Sequence, residues 1–150
     1  MRARPAATLD TSIWIPFLRS RRYGPSVDRL VAEGRVWMPT VVLLELYAGT
    51  GSVADARAID AIRVAVARLG RLYHPTTEDF VLAGRMLSYE SRRAGRLRPR
   101  DHSHDLLIAI AAARTSGALL TANRDDMLRW ARLLRTRARL RVDVLVPSGR

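Results

Sequence analysis

Short apolar segments alternate with longer amphipathic segments along the chain, and this alternation constrains the fold more than any other feature. Each apolar run is too short to form a helix, and Gly, Pro, Thr or Asp residues mark the boundaries between the apolar and amphipathic segments. We predict strands at 6–9, 36–38, 72–73, 118–121 and 140–144. Short strands that alternate with helices predict an α/β sandwich around a mostly parallel sheet.

The segments between these strands carry apolar residues at helical spacing. Helices are predicted at 12–20, 25–33, 41–48, 53–69, 80–90, 105–116 and 125–136, and a basic loop at 91–101. Thr40 and one of Thr76 or Thr77 are the expected N-caps, while Asp105 opens its helix and Gly117 closes it. The working site of such a sheet is expected at the carboxyl ends of the strands.

Length and composition predict one domain spanning residues 1–150. The chain is 48% hydrophobic, and it has neither an internal repeat nor a long linker. The lack of cysteine excludes a disulfide framework and thiolate metal sites. The longest apolar run, 106–113, is too short to cross a membrane, and the first residues do not resemble a secretory signal. We therefore expect a cytoplasmic protein with no membrane partner.

Positive charge dominates the sequence. The formal net charge is +12, and all 26 basic residues are arginine. The absence of lysine excludes Schiff-base chemistry and a Walker A phosphate site. Because the arginine fork grips phosphate oxygens in pairs and stacks on bases, the composition favours a nucleic-acid partner.

A few acidic residues occur where the predicted strands end or where burial is expected. Asp10 ends the first strand, Glu45 lies inside an otherwise apolar stretch, and Asp105 begins an apolar helix. Asp125 and Asp126 follow the fourth strand. Carboxylates that converge in one pocket repel each other unless they take up protons or bind cations. Mg²⁺ or Mn²⁺ is the expected guest, since oxygen ligands predominate.

At these acids the sequence resembles the PIN-domain ribonucleases, and among them the VapC-type toxins of bacterial toxin–antitoxin pairs. The matching segments occur in the family's order, at 9–15, 42–49, 104–112, 120–123 and 126–127. The resemblance implies a PIN-like three-layer α/β/α sandwich with a sheet of four or five strands. It also implies Mg²⁺- or Mn²⁺-dependent endoribonuclease activity, a small cognate antitoxin that blocks the site, and a homodimer or higher toxin–antitoxin assembly.

The resemblance carries specific residues with it. The catalytic and metal-binding positions are Asp10, Glu45, Asp105 and a fourth position, for which Asp126 ranks before Asp125 and Asn123. Hydroxyl groups that match the family and could support the metal's water shell are those of Thr11, Ser12 and Thr121. The arginines expected to hold RNA phosphates beside the acids are Arg92, Arg93, Arg96, Arg98 and Arg100. Some arginines could instead meet acidic residues of the antitoxin.

Two other functions stay open at this point. A nuclease directed at DNA could use the same scaffold, and composition does not separate it from a ribonuclease. A non-catalytic RNA-binding module would show no metal dependence and would tolerate Asp105→Asn. His102 and His104 flank the predicted site and could tune it or touch RNA, although histidines in loops are usually solvated.

Overall fold

A five-stranded parallel sheet forms the centre of the protein. The computed structural model describes residues 4–95 and 97–148. Its strands are β1 (Ala7–Leu9), β2 (Val36–Pro39), β3 (Leu72–Tyr73), β4 (Ala118–Leu120) and β5 (Asp143–Leu145). They lie in the order β3-β2-β1-β4-β5, and every pair is parallel. The predicted α/β class and parallel sheet are confirmed.

Seven helices of the described residues complete the fold. They are α1 (Thr11–Ser20), α2 (Gly24–Ala32), α3 (Thr40–Ala48), α4 (Val53–Arg68), α5 (Thr77–Ala94), α6 (Pro99–Arg114) and α7 (Arg124–Ala138). Together with the sheet they form the expected three-layer sandwich. None of these helices has both the length and the apolar character needed to cross a membrane.

The hydrophobic core packs the sheet against the surrounding helices, and β1 and α6 are its most deeply buried elements. All three residues of β1 are buried, and so is the whole apolar stretch 106–112 of α6. Strand β1 has β2 on one side and β4 on the other, with Thr8 in register with both Trp37 and Leu119. From β1 the chain adds β2 and β3 on one side, and it then returns to add β4 and β5 on the other side, so the order of strand addition reverses between β1 and β4. Parallel sheets place a crevice at the carboxyl ends of such strands, and Asp10 lies there.

The segment around residues 91–105 differs most from the sequence prediction. Helix α5 continues through Ala94, and α6 begins at Pro99, so both ends of the predicted basic loop at 91–101 are helical. The prediction that Asp105 opens the helix was wrong: it is the seventh residue of α6. The missed signal is Pro99, because the fixed φ of proline suits the first helical position.

Three smaller predictions also need correction. Pro39 is the N-cap of α3, and Thr40 is its first residue without a capping role. Thr76 caps α5 in a reciprocal pair with Asp79, which settles the choice between Thr76 and Thr77. The last strand begins only at Asp143, since α7 extends to Ala138 and ends in the left-handed conformation at Arg139.

Candidate active site

Asp10 lies at the junction of the two central strands. Its backbone N–H donates to the carbonyl of Leu120 at 3.0 Å, which ties the end of β1 to the end of β4. Its side chain is buried, and its Oδ2 accepts hydrogen bonds from Thr121 Oγ1 at 2.7 Å and Ser12 Oγ at 2.8 Å. The carboxylate is therefore held in one orientation at the floor of the crevice.

The two hydroxyl groups that hold Asp10 are themselves fixed by the backbone. Ser12 Oγ accepts from the N–H of Ala122 at 3.0 Å, and Thr121 Oγ1 accepts from the N–H of Asn123 at 2.9 Å. Both hydroxyls were expected to support the water shell of a metal. In the structure they orient the Asp10 carboxylate, as the partners of a metal ligand commonly do.

Burial and hydrogen bonding act on the pKa of Asp10 in opposite directions. Burial raises its pKa, the hydrogen bonds from Thr121, Ser12 and the Thr11 backbone lower it, and the charge of Glu45 raises it again. The net result is a raised pKa. An acid in this state gains from a nearby cation, because the cation offsets both the burial and the repulsion.

Glu45 reaches the same crevice from α3. Thr11 Oγ1 donates a hydrogen bond to its Oε2, and His104 Nδ1 lies 3.1 Å from its Oε1. The side chain of Glu45 is 27% exposed, so it is partly removed from water with a partner on each oxygen. The contact with His104 was not expected from the sequence, where this histidine was assigned to a loop.

Asp105 projects from α6 and is the most perturbed acid of the site. Its pKa is raised from 3.8 to about 6, first by burial and then by the charges of Asp10, Glu45 and Asp126, while His104 lowers it. Three carboxylates from distant segments of the chain therefore lie near enough to Asp105 to act on its charge. The role of these four acids stays a prediction.

The three candidates for the fourth position differ clearly in their surroundings. The side chain of Asp125 is 97% exposed and lies 3.6 Å from the Arg124 guanidinium. Asn123 is the N-cap residue of α7, but its side chain makes no capping bond. Asp126 raises the pKa of Asp105, and its Oδ1 accepts from Arg129 Nη2 at 3.2 Å. Its position and its effect on Asp105 therefore favour Asp126 as the fourth acid of the site.

The donor set suits a hard divalent cation. The site presents carboxylate and hydroxyl oxygens, and neighbouring carboxylates contribute to the raised pKa of Asp10 and of Asp105, so a positive charge would relieve an existing repulsion. Across residues 4–95 and 97–148, however, no three His, Asp or Glu side chains already stand in a metal-ligating arrangement. The residues fit the ion chemically, and their side chains would have to move closer together to bind it.

The arginines predicted to bind RNA are spread over two helices and the turn between them. Arg92 and Arg93 are exposed in the last turn of α5, Arg98 precedes α6, and Arg100 is exposed in its first turn. Arg96 lies outside the described residues. Sequence reasoning missed Arg129, which contacts Asp126; the spacing of three residues on a helix was the available signal.

A sequence profile described as "PIN domain" matches residues 7–133, which includes every acid of the site. The chain belongs to the PIN-domain family. PIN domains are nucleases, and they generally use divalent metal ions. No curated protein is significantly similar to this PIN domain in sequence.

Solved structures similar to this PIN domain come from toxin–antitoxin systems. DNA-bound VapBC from Salmonella typhimurium matches with a TM-score of 0.63 and 17% identity, over 97% of this chain and 100% of the other. FitAB bound to an IR36 DNA fragment gives 0.64 and 16%, over 94% of each chain. VapBC2 from Rickettsia felis, bound to a promoter DNA fragment, gives 0.57 and 19%, over 93% and 98%. At these identities the likeness establishes the fold.

Proposed function

We propose that this PIN domain is a Mg²⁺- or Mn²⁺-dependent endoribonuclease and the toxin of a toxin–antitoxin pair. The observation that carries the proposal is the position of Asp105 near Asp10, Glu45 and Asp126 at one end of the sheet. Burial first, and then the charges of these three acids, raise the pKa of Asp105 to about 6. A protein of net charge +12 maintains this acidic site. A cationic surface around carboxylates that need a cation is what metal-dependent cleavage of a polyanion requires.

Asp10, Glu45 and Asp105 would hold the metal, and Asp126 would complete the set. When bound, a divalent cation lowers the pKa of a coordinated water and stabilises the charge that develops on the leaving oxygen. The chain's own contribution is orientation. Ser12 and Thr121 fix Asp10, while Thr11 and His104 fix Glu45. Such partners commonly change metal affinity by about 10- to 100-fold.

Cleavage by the purified chain tests this proposal. We expect cleavage of single-stranded RNA with Mn²⁺ or Mg²⁺, loss of cleavage with excess EDTA, and loss in Asp10→Asn and Asp105→Asn. Asp125→Asn is the matched control, since it removes the same charge at a 97% exposed position. Cleavage without a divalent metal, or full activity of both acid variants, contradicts the proposal.

The same assay separates the two alternatives. Preferential cleavage of single-stranded DNA would identify a DNA-directed nuclease. Binding of RNA without cleavage under any metal condition would identify a non-catalytic module. Ribonuclease action is favoured because RNA offers unpaired, accessible strands in the cytoplasm, where we expect the protein to act.

A small antitoxin that blocks the site is the partner we propose. The support is the fold shared with chains of complexes described as VapBC and FitAB. Co-expression with the product of a small adjacent reading frame should restore growth that the toxin alone arrests. A growth arrest that also occurs with Asp105→Asn would contradict a nuclease toxin.

We also propose that the domain forms homodimers or larger assemblies with the antitoxin. An apolar groove of about 340 Å³ adjoins His104, and the side chains that line it include Leu44 and Phe80, which are 59% and 56% exposed. Apolar side chains exposed together favour a protein partner. Light scattering of the purified chain, with Leu44→Glu and Phe80→Glu as variants, measures the assembly state. A monomer at all concentrations contradicts the homodimer.

A further inference from the structure

A basic groove adjoins the acidic site between α5 and α7. It has a volume of about 470 Å³, and the side chains lining it include Tyr89, Glu90, Arg93, Arg129 and Arg132. It is separate from the apolar groove beside His104, and its lining carries three guanidinium groups. Two of these guanidinium groups face a carboxylate, Arg93 that of Glu90 and Arg129 that of Asp126, and the second pair joins the groove to the acids of the site.

Arg129 forms the inner end of this groove. One nitrogen, Nη2, donates to Asp126 Oδ1 at 3.2 Å and lies 3.4 Å from His102 Nδ1. The guanidinium carbon lies 4.7 Å from the centre of the Trp130 ring, and Trp130 is fully buried. Stacking on a rigid ring fixes the plane of the guanidinium. The groove thus opens onto the acidic site through a cation that the fold holds in place.

The fold maintains this arrangement at a cost. The Nε–H of Arg129 is buried and has no hydrogen-bond partner in the described part of the chain. A buried donor without a partner is unfavourable, and such groups are rare in folded proteins. The exposed part of the Arg129 side chain is its contact with Asp126 and the groove, so its surroundings hold the guanidinium beside the acids.

The other charged side chains of the groove are one matched pair and one exposed arginine. Glu90 is buried and accepts two hydrogen bonds from Arg93, at 2.8 and 3.2 Å, so its charge is already matched. Arg132 is exposed, and Arg137 lies over the ring of Tyr89 at 3.8 Å. Together these side chains extend the cationic surface away from Arg129 along α7.

We propose that this groove binds the sugar-phosphate backbone of single-stranded RNA next to the cleavage position, and that Arg129 contacts the phosphate nearest the acids. The inference rests on the proposed ribonuclease function and deepens it. RNA is favoured over an acidic peptide because the groove is continuous with the carboxylates through Asp126. An RNA strand that occupies the groove and the acidic site together would present one phosphodiester to the acids and the neighbouring phosphates to the arginines.

The test measures the salt dependence of RNA binding. Asp105→Asn is used as the background so that RNA is bound without being cut, and the probe is a fluorescein-labelled oligouridylate followed by anisotropy. The groove variant is Arg129→Ala with Arg132→Ala. Its control is Arg57→Ala with Arg68→Ala, which removes two exposed arginines from α4. Thermal unfolding checks that all variants are folded.

We expect the groove variant to bind at least about tenfold more weakly than its background. The plot of log affinity against log salt should become shallower, with the magnitude of its slope smaller by about 1.4. Each phosphate contact to a single strand contributes about 0.7, and two arginines are removed. The control should change the slope by less than about half of that. Arg129→Lys should also weaken binding, because lysine lacks the planar fork.

Three outcomes overturn the inference. In the first, the groove variant and the control lower the slope equally, so that only net charge matters. In the second, the groove variant keeps its RNA affinity but loses binding of polyglutamate, which would assign the groove to an acidic peptide. In the third, the background protein does not bind the probe. A parent chain that binds RNA through the groove without cutting it would instead contradict the proposed function alone.

Discussion

Asp105→Asn should stabilise the metal-free protein while abolishing its activity. In the folded state Asp105 is partly buried among Asp10, Glu45 and Asp126, and these surroundings raise its pKa from 3.8 to about 6. Above that pH its negative charge is less favourable in the folded chain than in the unfolded one. The substitution removes this unfavourable charge and keeps the shape of the side chain, so the amide variant should unfold at higher temperature.

The size of the effect follows from the difference in pKa. A change from 3.8 to about 6 corresponds to about 3 kcal/mol, at about 1.4 kcal/mol per pH unit. For a chain of this length, that free energy raises the melting temperature by about 6 to 12 °C. The sign follows from proton binding. The folded state holds more protons between the two pKa values, so the parent loses stability as the pH rises from about 4 to about 6.

Thermal unfolding in EDTA at pH 4 and pH 8 measures this difference. We expect parent and variant to melt together at pH 4 and to separate at pH 8, with Asp125→Asn as the control that follows the parent at both. Added Mn²⁺ should stabilise the parent more than the variant, because binding to the folded state adds stability. An Asp105→Asn protein that melts below the parent at pH 8 without metal would refute the mutual repulsion of the acids.

Three further predictions concern the surroundings of the site. Thr121→Val removes the hydroxyl that donates to Asp10 and should weaken Mn²⁺ binding by about tenfold, as measured by calorimetry. Asp79→Asn should lower the free energy of unfolding by about 1 to 3 kcal/mol in urea, because the buried carboxylate accepts hydrogen bonds from Tyr73, Thr76 and Arg114 that an amide cannot all keep; cleavage by the folded fraction should not change. Burial alone would raise the pKa of Asp79, but hydrogen bonds from Tyr73, Thr76 and Arg114 lower it, so its contribution to stability should disappear as the pH falls below about 4.

The fold could be predicted from the sequence because its signals are local. The buried strand β1 and the apolar stretch of α6 are each visible as a short pattern, and parallel strands between helices allow few topologies. The start of α6 was misplaced because the polar residues 99–104 hide a helix that Pro99 initiates. Hydrophobic periodicity detects only a helix that buries one face along its whole length.

The acids of the candidate site were predicted from the sequence, and their role stays a prediction, whereas the side chains that contact them could not be predicted. Asp10 and Asp105 occur where strand ends and apolar helices make an acid unusual, so the sequence alone marks them. The contacts of Glu45 with His104 and of Asp126 with Arg129 depend on how α3, α6 and α7 pack. Such contacts between helices leave little trace in one sequence. For the same reason, RNA binding was predicted for arginines that are close together in the sequence, and not for arginines that line one groove in the structure.

The surface charge does not neutralise the acidic site, and burial explains why. Most of the arginines are exposed, where water and salt screen their influence beyond about 10 Å. Asp10 is buried and Asp105 is partly buried, so the repulsion on Asp105 persists at short range despite a net charge of +12. Arg129 differs from the exposed arginines, because it reaches Asp126 from a partly buried position. The protein can therefore attract a polyanion over its surface and still retain a site that requires a cation, with Arg129 at the boundary between the two.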